Sequence, residues 1–160
     1  MKIKKILGIA LLLLIAHVMT YKFVDIAPDK NLKPDQQATK VLTYGQCAAC
    51  HSHSPNLPFY ANWPIIGNVV KQDAALAIRE FDVTNIFNGI ENNLPIDEVT
   101  LNKLEHSFSN ETMPPLKYYT IHWGSTINNV EKEMMLNWIH QYRAEHHYNG
   151  LASAEFANEP

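Results

Sequence analysis

Cys47, Ala48, Ala49, Cys50 and His51 form the one cysteine-bearing segment of the 160-residue chain. Two thiols three positions apart, with a histidine directly after them, match the attachment pattern of a c-type haem. The sulfurs can form thioethers with the haem vinyl groups, and the adjacent imidazole can bind the iron from the proximal side. One tight turn brings both thiols to the edge of a single porphyrin and swings the histidine beneath its centre. Other chemistries fit less well. A structural zinc site takes four ligands, commonly from two separated knuckles. This chain has one CxxC, and His51 and His53 stand too close together to supply the usual spaced pair. A redox dithiol belongs in an α/β surrounding and has no need of the histidine. A disulfide across two residues is strained. The pattern therefore points to one covalently attached haem c, held by Cys47, Cys50 and His51.

What such a haem can do depends on its other axial position. Two strong ligands close the iron and leave it electron transfer; an open position lets it bind or activate peroxide, oxygen or nitric oxide. The leading second ligand is Met113, in Thr112-Met113-Pro114-Pro115. The two prolines hold the backbone extended and exclude helix, so a rigid loop can present the thioether. Methionine ligation also raises the reduction potential. Met134 and Met135 fall in a helical stripe where packing explains them. His122 is the rival ligand. His53 is too near His51 to reach across the ring, while His106, His140, His146 and His147 fall on helix surfaces. The indole N–H of Trp63 and the guanidinium of Arg79 are candidates to bond a haem propionate. Each also has a plain role, packing for Trp63 and surface charge for Arg79.

The elements that must position these residues read as helices and loops. Asp35 can cap a helix running through Val41, Leu42 and Tyr44 into the cysteine segment. Val70, Ala74, Ala77, Ile78 and Phe81 recur at helical spacing, with Lys71, Asp73, Arg79 and Glu80 on the opposite side. Ile86, Phe87 and Ile90 mark a short helical turn closed by Gly89 and Asn92-Asn93. Asp97 can cap a helix carrying Leu101, Leu104 and Phe108. Asn128 and Glu131 resemble a capping box ahead of a stripe of Met134 or Met135, Trp138, Ile139 and Tyr142. No strand-type alternation persists, so the expected class is all-α, a small cytochrome c-like helical domain around one haem. Trp138 reads as core. A core this small gains from a large apolar disc, so the haem-free chain is expected to fold poorly.

The N-terminus agrees with this chemistry. Lys2, Lys4 and Lys5 precede an apolar run from Ile6 to Ala16 that continues, with interruptions, to Val24. This is a positive segment followed by a hydrophobic one, as in an export signal, and haem is joined to such motifs outside the bacterial inner membrane. No small-x-small cleavage site follows Ala16. An uncleaved anchor is therefore expected ahead of a cleaved signal peptide, with the lysines on the cytoplasmic side and the rest in the periplasm. The expected organisation is a signal-anchor or signal peptide at 1–24, a tether at 25–34, a monohaem domain at 35–148 and a tail or linker at 149–160. All 16 acidic residues lie at or beyond Asp25, whereas four of the 13 basic residues precede it. The exported part is thus acidic, which argues against nucleic acid or an anionic lipid surface as partner. It suits a partner with a positive patch, or serves solubility alone.

Taken together, Cys47-Ala48-Ala49-Cys50-His51, Pro58-Phe59-Tyr60, Met113-Pro114 with Tyr118 or Tyr119 and His122, and a final helix with Leu136-Asn137-Trp138 resemble the haem-binding domain family of small exported c-type cytochromes. The resemblance runs over roughly residues 35–145. Similar domains stand at the N-terminus of exported multi-haem cytochrome c peroxidases, and residues 155–160 look like the linker into such an enzyme. The resemblance implies a redox partner protein, with a cytochrome c peroxidase as the candidate. Three functions are open: a one-electron carrier feeding a peroxidase or other terminal reductase, a small haem peroxidase with His122 as acid–base group, and a gas sensor. The rigid methionine loop and the lack of a compelling acid–base pair favour the carrier.

Overall fold

The computed structural model describes residues 2–24, 26–115, 118 and 125–156, and among them every regular element is helical. The all-α class expected from the sequence is the class observed. The first helix, α1 (Lys2–Val24), is set by its apolar run. Its stretch Ile3–Phe23 spans 21 residues with a mean hydropathy of 2.0 and none of it buried against the rest of the chain. At 1.5 Å per residue that length is about 30 Å, enough to cross a bilayer core; a signal sequence has the same character.

After a non-helical stretch, α2 (Pro34–Tyr44) begins with proline at its first position, where the missing N–H costs nothing and the fixed φ suits a helix. This corrects the expected role of Asp35. Pro34 draws the chain into the helix one residue early, so Lys33 stands at the cap and its N–H donates to Gln36 Oε1 at 3.2 Å. Asp35 lies inside the first turn, and its carboxylate accepts the indole N–H of Trp138 at 2.7 Å.

Four more helices follow: α3 (Ile66–Glu80), α4 (Val83–Asn92), α5 (Glu98–Ser109) and α6 (Asn129–Phe156). Asp82 caps α4, accepting from Thr84 N at 2.8 Å, and Asn93 ends it in the left-handed region at φ 52°. Gly89 lies within α4 rather than ending it, and the close approach of the Ile96 side chain leaves no room for a Cβ there. Asp97 caps α5 as expected, accepting from Thr100 N at 2.8 Å. The capping box of α6 is complete: Asn128 Oδ1 accepts from the N–H groups of Val130 and Glu131, and Glu131 Oε2 from Asn128 N, each at 3.0 Å. The helix continues through residues expected as tail or linker and ends at Phe156.

The core sits where α2 and α5 pack on α6. Val41 and Leu42 from α2, Leu101 and Leu104 from α5, and Met135, Trp138 and Ile139 from α6 are all buried. Each such side chain contributes about 1.5–3 kcal/mol relative to exposure. The edge of the α5–α6 contact is held by Arg143, which donates to Glu105 at 2.6 Å and Asn102 at 2.8 Å and forms an ion pair with Glu98 at 2.9 Å. Tyr142 adds a hydroxyl bond to the Leu94 carbonyl.

Candidate functional site

The cysteine segment hangs from the end of α2. Gly45 N donates to Val41 O at 2.8 Å, closing the helix, and Gln46 then takes a left-handed conformation at φ 53° that turns the chain. Cys47–Ala49 form a single 3-10 turn. Cys50 follows as the cap of that turn, at φ −120°. The turn closes around one carbonyl: Cys47 O accepts from Cys50 N at 3.3 Å and His51 N at 2.9 Å.

Both cysteines are free thiols. Burial pushes the Cys47 thiol up to about 12, against the pull of a backbone hydrogen bond and with the Cys50 and Glu131 charges adding to the rise. Cys50 is also raised, by burial and then by the Asp73 carboxylate. Neither sulfur has the low-pKa thiolate character of a redox dithiol. Among the described residues, no group of three or more His, Cys, Asp or Glu side chains is placed to hold a metal ion.

His51 is buried, with 6 % of its surface exposed. Its Nδ1 lies 3.3 Å from the carbonyl oxygen of Phe81, and the two rings stack with centroids 4.1 Å apart and 13° between planes. A carbonyl only accepts, so Nδ1 carries the proton and Nε2 keeps its lone pair for a metal. Burial lowers the His51 pKa, opposed by hydrogen bonds to the Phe81 and Ala77 carbonyls and by the Glu80 and Asp82 charges. The imidazole is therefore neutral at pH 7, the form that ligates. Val83 N donates to His51 O at 2.8 Å, and His53 Nε2 pairs with Asp82 at 3.5 Å. Residues 81–83, the corner between α3 and α4, thus hold residues 51–53. Sequence spacing gave no sign of this: Phe81 read only as the end of an apolar stripe, thirty residues from His51.

The other expected site residues sit on separate elements. Trp63 follows a 3-10 turn at Phe59–Asn62; it is half exposed, with its ring edge-on to Phe59 at 5.6 Å. Tyr60 and Ala61 of that turn are buried. Arg79 lies exposed in the last turn of α3. Met113 is in the loop after α5, 40 % exposed, and its peptide bond to Pro114 is cis. Tyr118 N donates to Pro115 O at 2.8 Å. The Tyr118 hydroxyl is raised by burial first, then by the nearby charges of Cys50, Tyr60 and Cys47. The Tyr118 hydroxyl therefore lies within electrostatic range of Tyr60 and both cysteines. Met134 and Met135 are core, as expected, and His106 and His140 are exposed. His146 is half-buried against Tyr142, while His122, Tyr119 and the His147 side chain lie outside the described residues.

Comparison with known proteins bears on this arrangement. Over 114 residues the chain is 31% identical to the cytochrome c peroxidase Ccp of Escherichia coli (strain K12), which covers 71% of this chain and 24% of that protein. The chain thus spans about a quarter of the length of that relative. No solved structure matches it. The haem-binding domain family matches residues 10–141. Its match takes in the thiol pair, the neutral His51, α2 to α5 and the first part of α6, and the chain belongs to the haem-binding domain family.

Proposed function

We propose that the chain is an exported monohaem cytochrome domain that carries one electron at a time. Cys47 and Cys50 would hold the haem covalently, and His51 and Met113 would ligate its iron. One observation carries this reading: two free thiols at the start and the cap of one turn, followed by an imidazole whose Nδ1 is already bonded. The haem supplies an iron that changes by one electron. The protein's part is to hold the imidazole neutral with Nε2 free and to exclude water around it, while Met113 would supply the second ligand from its loop. Trp63 and Arg79 are the residues for the propionates, as hydrogen-bond donors.

The partner is a redox protein, with a peroxidase or other terminal reductase as electron acceptor. The name of the E. coli relative supports the peroxidase. The acidic balance beyond α1 suits a partner with a positive docking patch. The apolar α1 supports a site on the periplasmic face of the inner membrane, with its lysines inside. Mass spectrometry of the mature N-terminus tests whether that helix is retained.

The carrier reading is tested by the absorption spectrum of the oxidised protein. A low-spin spectrum with the weak near-infrared sulfur-to-iron band, lost in Met113→Ala, is expected. A high-spin spectrum that changes on adding cyanide or carbon monoxide would instead favour a haem enzyme or gas sensor.

A further inference from the structure

The imidazole of His51 is held by more than a hydrogen bond. The Nδ1 contact to the Phe81 carbonyl fixes one atom of the ring and its tautomer, but leaves the ring free to rock about that contact. The Phe81 side chain removes that freedom, because its ring lies 4.1 Å away and within 13° of parallel. One residue thus supplies both restraints, and the backbone explains how. Phe81 follows the last turn of α3 in an extended conformation, φ −161° and ψ 157°. Its carbonyl has left the helical ladder and is free to meet His51, while its ring stays in the core. The Val83 N–H to His51 O bond at 2.8 Å holds the histidine backbone against the same corner.

We propose that Phe81 is the positioning residue for His51, its stacked ring setting the plane in which the imidazole meets the iron. This rests on the reading of His51 as an axial ligand. Outer contacts of this kind fix the orientation of a ligating histidine and tune the metal it binds. A purely structural role is the competing account, since Phe81 is also a core side chain. Phe108 provides the comparison: it belongs to the same core cluster and is equally buried, each residue being 8 % exposed.

The test is proton NMR of the oxidised haem-loaded protein, whose hyperfine-shifted haem-methyl signals report the plane of the axial imidazole. Phe81→Leu and Phe81→Met remove the ring and keep apolar bulk. Both are expected to change the order or spread of the methyl shifts, with the low-spin visible spectrum retained. Phe108→Leu should lower the melting temperature while leaving the methyl pattern as in the wild type. An unchanged pattern in the Phe81 variants, or the same change in Phe108→Leu, would overturn the proposal. His51→Ala separates the two readings. Axial-imidazole signals that persist in it would overturn the ligand assignment, and the role of Phe81 with it. Their loss in His51→Ala beside an unchanged Phe81→Leu would overturn the role of Phe81 alone.

Discussion

The indole N–H of Trp138 donates to the carboxylate of Asp35 at 2.7 Å, joining residues 103 apart in the chain. It ties the first turn of α2 to the first half of α6. Because α2 runs directly into the Cys47 turn, this bond fixes the element from which the thiols hang.

Trp138→Phe keeps an aromatic ring in the core but removes the donor. Asp35 itself is exposed, so water takes the place of the lost donor at its carboxylate. The bond to an exposed carboxylate contributes modestly, and the smaller ring leaves a gap in the core, so a loss of about 1–2 kcal/mol is expected, most of it from the ring. Denaturant unfolding of the haem-loaded protein measures it. A change below about 0.5 kcal/mol would show that the bond does not bear on stability.

Gly67 is required by contact rather than by backbone conformation. A Cβ there would overlap the Ala61 carbonyl, and that atom is main chain, which cannot swing away. Gly67→Ala should therefore destabilise by about 1–3 kcal/mol, although alanine is the better helix former. It should also move the Phe59–Asn62 turn and so change Trp63 fluorescence. A raised melting temperature would contradict this seating of α3.

Asp97 makes part of the stability depend on pH. The Thr100 hydroxyl and backbone N–H groups hold its carboxyl below the ordinary value of 3.8. A depressed folded-state pKa contributes stability that is present above the unfolded value and lost as pH falls through the folded one. Asp97→Ala should cost about 1 kcal/mol at pH 7. The gap to the wild type should close as pH drops below about 4. A gap independent of pH from 7 to 3 would rule out the carboxylate as its source.

Helix ends were legible where a side chain caps its own helix, as with Asp97 and the Asn128–Glu131 pair, because that chemistry lies within three residues. Asp35 misled, since Pro34 shifted the helix start and the true partner, Trp138, lies on another helix. The site divides along the same line. Cys47, Cys50 and His51 stood out because the attachment chemistry proposed for them acts through local spacing. The grip of Phe81 on His51 crosses thirty residues and leaves no periodic trace. Met113 stood out only through the prolines that stiffen its loop, and Trp63 and Arg79 only as residue types able to bond a propionate.

The central claim is the covalent haem at Cys47 and Cys50. Intact mass spectrometry under denaturing conditions, after expression with a haem-attachment apparatus, tests it most directly. The account predicts the chain plus one haem, with the addition abolished in Cys47→Ser/Cys50→Ser. An unmodified mass beside haem that acidic acetone extracts, or an addition that survives in the double serine variant, would contradict it.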